Sequence, residues 1–206
     1  MSLKSECLDF DHDATLPDSV ARWTEQATVF IRRFWDSRSD RQHVHYVESD
    51  FEFLARAMRA VLNQDRVSTG KLFMEWGCSF AVNAGNAAHL GWEAWGIESV
   101  EFLVAAAKKL HSEHASPVQV VHGNFLPPGA ESFALEEDPV VARACELPSA
   151  YESANLTLRD FDLILAYPWP GEEHFLKAVF DGCANVGSHL LLYRGPFHVE
   201  LFRKTR

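Results

Sequence analysis

Hydrophobic positions follow a helical period in the first third of the chain and change to short apolar runs separated by helical stretches from Lys71 onward. In "DSVARWTEQATVFIRRFW" the apolar residues Val20, Trp23, Ala27, Phe30, Ile31 and Phe34 fall on one side of an amphipathic helix. After the polar stretch "DSRSDRQH", Ser49 or Asp50 stands where it can cap a second helix bearing Phe51, Leu54, Ala55, Met58 and Leu62. "LFMEW" then reads as a strand, followed by an alanine-rich helix from about Ala81 that Gly91 can end. "EAWGIE" is a second such strand. Ser99 is placed to cap the helix after it, which carries Leu103, Ala106, Ala107 and Leu110 on one face and Lys108 and Lys109 in its last turn. "PVQVVHGNF", "FDLILAY" and "SHLLLYRG" add three strands, with a helix from near Gly171 between the last two that buries Phe175, Leu176, Val179 and Phe180.

Strands that alternate with helices of this length imply parallel βαβ crossovers, so the expected fold is α/β, a doubly wound and mostly parallel sheet with N-terminal helices. Residues 1–70 form the expected N-terminal helical extension and residues 71–206 the sheet domain. Ligands of such sheets sit beyond the carboxyl ends of the strands, where strand order reverses. That rule places Glu75, Gly77, Glu98, Asn124 and Tyr167 at one rim. The stretch from Leu126 to Arg159 is too long for a plain crossover and reads as an insertion with its own helix or a lid, at about residues 126–159.

Composition narrows the possibilities. With 206 residues and 47% hydrophobic content the chain can bury a substantial core. No apolar stretch is long enough to span a membrane and no signal peptide is apparent, so the expected location is cytoplasmic. Cys7, Cys78, Cys145 and Cys183 lack C-x-x-C spacing, which argues for reduced thiols and against a metal site. A net charge of -10 disfavours general nucleic-acid binding, because affinity for a phosphate backbone comes mainly from lysine and arginine. The basic cluster Arg32, Arg33, Arg38 and Arg41 is interrupted by Asp36 and Asp40 and reads as a solvated face. "DFDHD", Asp9 to Asp13, reads as a mobile terminus rather than a ligand set, and His122 and His174 as ordinary surface or core histidines.

Two carboxylates end apolar runs, Glu75 and Glu98. Glu98 follows Gly77 by about twenty residues, the spacing at which a strand-end acid meets ribose hydroxyls, while Gly77 lets the backbone approach a ligand at a helix N-terminus. In order, "FMEWGCSFA", "AWGIES", "VQVVHGNF" and "FDLILAYPWPGEE" resemble the class I S-adenosylmethionine-dependent methyltransferases over about residues 71–195. The resemblance implies a Rossmann-like domain with S-adenosyl-L-methionine as cofactor. Glu75 would then hold the methionine part through its ammonium, with Gly77 and the small Ser79 leaving it room. Glu98 and the adjoining Ser99 would serve the ribose, and Asn124 with Phe125 would flank adenine. Tyr167 and Trp169 would border the transferable methyl on the acceptor side.

The chain departs from the family pattern at several points. Ser79 and Ala81 replace the second and third glycines, Asn124 replaces an aspartate, and "AYPWP" is not the motif of the amino-group enzymes. Only "PFHVELFRKTR" remains of the usual C-terminal helix and strand pair, so one edge strand and a shortened sheet are expected, with the N-terminal helices covering what is missing. Methyl transfer to an unknown acceptor, more readily a small molecule than a macromolecule, is the expected function. A non-catalytic binding or scaffold protein is the alternative. A nicotinamide-dependent oxidoreductase ranks last, since its fingerprint needs glycines where Ser79 and Val82 stand.

Overall fold

A computed structural model of the protein describes residues 2–38, 46–64, 71–134 and 147–206. Asp40, Arg41, Cys145 and the middle of the expected insertion lie outside the described residues. The strands are β1 (Leu3–Glu6), β2 (Leu72–Trp76), β3 (Glu93–Glu98), β4 (Gln119–His122), β5 (Leu163–Ala166), β6 (His189–Gly195) and β7 (His198–Lys204). The helices are α1 (Asp18–Asp36), α2 (Phe51–Asn63), α3 (Val82–His89), α4 (Glu101–Glu113), α5 (Ala150–Ala154) and α6 (Glu173–Cys183). All strands join one seven-stranded sheet in the order β1-β7-β6-β5-β2-β3-β4. The run from β4 to β6 is parallel, β7 is antiparallel to β6, and β1 is antiparallel to β7. The doubly wound, Rossmann-like α/β reading therefore holds.

The expected shortened sheet does not. β7 is an inner strand, because β1 pairs along its free side from Leu3↔Lys204 to Glu6↔Leu201. The second strand of the antiparallel pair is thus supplied by the N-terminal segment. Its start is fixed by the Ser2 backbone N–H, which donates to Asp181 at 3.1 Å, and by the Ser2 carbonyl, which accepts from the Thr205 N–H at 2.9 Å.

In "DFDHD" the two rings meet α2 while the three aspartates stay exposed. The Phe10 and His12 rings lie 5.4 and 5.2 Å from Phe53, and the Arg56 and Arg59 side chains donate to the carbonyls of Ala14 and Thr15 just beyond.

The starts of α2 and α4 are each set by a carboxylate. Asp50 caps α2 by accepting the Phe53 N–H at 2.9 Å. Ser99 does not cap α4 as expected; the Val100 N–H is taken at 2.8 Å by the Glu98 carboxylate instead. On one sheet face, Phe53, Leu54, Ala57, Met58 and Val61 of α2 pack with Leu165, Leu191, Tyr193 and Leu201 of the sheet. The N-terminal helix does cover that part of the sheet. α1 lies outside α3 and α4, with Trp23, Ala27 and Ile31 against Phe80, Val82, Leu103 and Leu110. α5 and α6 cover the other face through Tyr151, Phe175, Leu176, Val179 and Phe180. Among the described residues no helix is long and apolar enough to cross a membrane.

Candidate functional site

Strand order reverses between β2 and β5, and a cavity of about 730 Å³ opens there, beyond the carboxyl ends of the strands. The segments after β2, β3, β4 and β5 and the end of β6 all reach it. Gly77, Ser79, Glu98, Ser99, Asn124, Phe125, Tyr167 and Trp169 line it, so the structure gathers eight of the nine expected site residues around one space.

The turn between β2 and α3 carries the glycine signal without all the glycines. Gly77, Ser79 and Ala81 have φ values of 66°, 49° and 56°, so two residues with side chains take the left-handed conformation. That conformation costs roughly 1–2 kcal/mol per non-glycine residue, and it persists because the turn is held from several sides. The Cys78 N–H donates to the Ile97 carbonyl at 2.9 Å and the Ser79 N–H to Glu98 Oε2 at 2.8 Å. Gly96 on β3 makes room for the turn: a Cβ there would lie 2.7 Å from Cys78 Sγ. From behind, His111 Nε2 lies 3.2 Å from the Ala81 carbonyl, and burial pushes this imidazole down to about 4, so it is neutral and donates. His111 was not among the candidates, although its spacing from Leu103, Ala107 and Leu110 puts it on the inward face of α4.

Glu98 is 6% exposed and serves two backbone amides at once, Ser79 through Oε2 and Val100 through Oε1 at 2.8 Å each. Burial raises its pKa and these hydrogen bonds oppose the rise. The Ser99 hydroxyl adds a long hydrogen bond to Oε1 at 3.4 Å, so Oε2 is the oxygen that keeps a lone pair for a further donor.

Glu75 is the residue that does not line the large cavity. It sits beside a small neighbouring space of about 50 Å³ that shares Gly77, Ser79, Tyr167 and Tyr193 with it. Its oxygens accept from Asn83 Nδ2 at 2.8 Å and from the Ala84 N–H at 3.0 Å, which anchors the start of α3. Burial raises this carboxyl to about 8, against an ordinary value of 4.5. Between those values the native state binds the proton and the unfolded state does not. Stability therefore falls as pH rises across that window, by at most about 1.4 kcal/mol per pH unit. Glu75→Gln keeps an acceptor for Ala84 and removes the ionisation. In thermal melts between about pH 5 and pH 8, wild type should lose melting temperature relative to this variant; parallel curves would show that Glu75 does not titrate in that range.

Asn124 is spent on the loop. Its Oδ1 accepts the Leu126 N–H at 2.7 Å, its Nδ2 donates to the Leu147 carbonyl, and its backbone pairs with Pro148 and Ala150. The close approach needs Gly123, where a Cβ would lie 2.7 Å from the Pro148 carbonyl oxygen. Phe125 stacks on Trp76 with ring centroids 4.8 Å apart, forming a flat apolar wall.

On the opposite side, Tyr167 and Trp169 are 40% and 42% exposed. Tyr167 meets Tyr193 edge to face at 4.8 Å, and Glu172 accepts the Trp169 N–H at 2.9 Å. Tyr193 and Arg194, at the end of β6, had no sequence signal as site residues. Arg194 pairs with Glu173, across from it at the start of α6.

No protein-family model and no curated protein matches the sequence. Among solved structures, a methyltransferase from Geobacter sulfurreducens aligns over 94% of this chain and 92% of its own, at 11% identity and a TM-score of 0.51. The SAH-bound methyltransferase PaMTH1 from Podospora anserina aligns over 86% of this chain at 15% identity and a TM-score of 0.47. TehB from Haemophilus influenzae aligns over 64% of this chain at 11% identity and a TM-score of 0.40. The chain spans 62% of the Podospora protein and 38% of TehB. The likeness to the Geobacter protein, over nearly the whole of both chains, shows that the two share a Rossmann-like fold.

Proposed function

We propose that, on this Rossmann-like fold, the protein binds S-adenosyl-L-methionine at the switch-point cavity and transfers its methyl group to an acceptor. One observation carries the proposal. The left-handed turn from Gly77 to Ala81 is tied to Glu98 at the end of the next strand, so a backbone that admits a ligand and a carboxylate that grips hydroxyls face the same space.

The residues present fit the cofactor. Glu98 would accept one ribose hydroxyl at Oε2 and the other at Oε1 in place of the long Ser99 contact. The flat wall of Phe125 on Trp76 suits a purine face, with Asn124 holding that wall in place rather than reading the base. Ser79 borders the cavity, and its Oγ is buried without a hydrogen-bond partner. Glu75, in the adjoining small space, would take the ammonium of the methionine part, directly or through water, and ionise as it does so. The cofactor supplies an activated methyl on a sulfonium, so the protein's work is to hold an acceptor in line and exclude water.

A second reading, a scaffold that keeps the fold without turnover, draws on one feature. Both ends of the Asn124 amide, and both Glu98 oxygens, already serve the protein's own backbone.

Calorimetry with S-adenosyl-L-methionine and NAD as parallel titrants tests the proposal. Binding of the former alone is expected. Binding of NAD alone would overturn it, and binding of neither would favour the scaffold. Cofactor binding without methyl transfer to any of a broad acceptor panel would leave a non-catalytic binding protein.

A further inference from the structure

The small space beside Glu75 is walled by polar atoms that the fold itself leaves unused. It measures about 50 Å³, room for a small charged group and little more, and it shares Gly77 and Ser79 with the large cavity. Three side-chain atoms on its lining residues are buried without a hydrogen-bond partner among the described residues: the Tyr46 hydroxyl, Ser79 Oγ and Asn83 Oδ1. Native proteins keep few such atoms, so three around one space mark a place where a ligand group completes the bonding.

Asn83 is 5% exposed, and its Nδ2 donates to Glu75 Oε1 at 2.8 Å and to Ser49 Oγ at 3.2 Å, so both amide hydrogens are used. Its Oδ1 alone is left over. Tyr46 reaches the space from the stretch ahead of α2, its ring edge-on to Phe80 with centroids 5.4 Å apart. Burial, with the Glu48 and Glu75 carboxylates nearby, keeps its hydroxyl protonated, and a neutral hydroxyl can accept a hydrogen bond. Glu75, Asn83 and Tyr46 therefore present three acceptors to one small space, and one of them is a carboxyl group. A primary ammonium matches them with three N–H donors and a balancing positive charge. A water molecule brings two donors and no charge.

Resting on the cofactor reading, we propose that Tyr46 and Asn83 join Glu75 in binding the primary ammonium of the cofactor's amino-acid end, so that the stretch ahead of α2 completes the cofactor site. With the nucleoside in the large cavity, Gly77 and Ser79, which border both spaces, stand between the two ends of the ligand.

The test titrates the full chain with 5′-aminopropylthioadenosine, whose side chain ends in a primary ammonium, and with 5′-butylthioadenosine, in which a methyl group replaces it. The amine should bind about tenfold tighter, the effect of charge-assisted hydrogen bonds. In Tyr46→Phe that preference should fall several-fold while affinity for the butyl probe stays at the wild-type value. The variant should melt no lower than the wild type, because the hydroxyl it removes has no partner in the protein. Glu75→Gln, which removes the charge, should abolish the preference. Equal affinity for the two probes in the wild type, or an undiminished preference in Tyr46→Phe, overturns the proposal and leaves the cofactor reading standing. Binding of neither probe sinks the cofactor reading and this proposal together.

Discussion

A Gly85→Ala variant is expected to melt far below the wild type. The glycine lies in α3 under the Trp23 indole, and a Cβ there would stand 2.2 Å from Trp23 Cε2. The indole has nowhere to go. It is 1% exposed, its Nε1–H donates to the Val82 carbonyl at 3.0 Å, and it packs on the His111 ring in a tilted contact with centroids 4.7 Å apart. Alanine gains about 1 kcal/mol over glycine as a helix former, and the clash must exceed that for the sign to hold. Overpacking a rigid ring ordinarily costs about 1–3 kcal/mol and occasionally more, and here the ring also loses its hydrogen bond. A net loss of about 2–4 kcal/mol would lower the melting temperature by roughly 4–16 °C for a chain of this size. The partner variant Trp23→Ala removes the whole ring and with it the atoms the new Cβ would meet, so the double variant should be more stable than the two separate losses add up to. A Gly85→Ala protein that melts with the wild type would mean that α1 can slide on α3, and additive losses would mean that Trp23 is not what the methyl group meets.

Glu98→Ala should weaken S-adenosyl-L-methionine binding by about tenfold to a hundredfold. On the proposed reading the substitution removes the charge-assisted hydrogen bonds that Glu98 would make to the ribose hydroxyls, together about 1.5–3 kcal/mol. The same substitution frees the Ser79 and Val100 amides, which lose their acceptor. Because the carboxylate borders an open cavity, water can replace it at both amides, and the expected loss of stability stays below about 2 kcal/mol. Glu98→Gln distinguishes the two jobs. A single carbonyl can satisfy one of the amides, while its NH₂ faces the other, so the turn loosens and affinity falls even though the shape is kept. Calorimetry with circular dichroism on the same samples reads both effects. Unchanged affinity in a folded Glu98→Ala protein would reduce Glu98 to a clamp on the turn.

What could be read from the sequence was whatever burial writes as periodicity. β2, β3 and β5 are apolar runs because helices cover both faces, and Glu98 stood out as a carboxylate at the end of such a run. β1 left no trace. A short edge strand is held by main-chain hydrogen bonds that "LKSE" satisfies as well as any other residues, and its polar side chains follow from its exposure. Glu75 was legible as a strand-end acid, but its separation from the large cavity depends on where the amides of α3 point. The Asn124 amide looked available for a ligand because its partner, the Leu147 carbonyl, belongs to the inserted stretch. Tyr193 and Arg194 belong to a strand whose place was foreseen. Their roles come from Tyr167 and Glu173 on elements far away in sequence, and no local pattern records such meetings.

The pairing of β1 with β7 also has a kinetic side. Joining Leu3 to Lys204 closes nearly the whole chain into a loop, so this contact has the largest closure entropy of any in the sheet. It can be repaid only after β6 and β7 have formed their hairpin, and it therefore forms late. Contacts that form late contribute to the unfolding barrier rather than to the folding rate. The short outer strand thus acts as a latch on the lifetime of the native state.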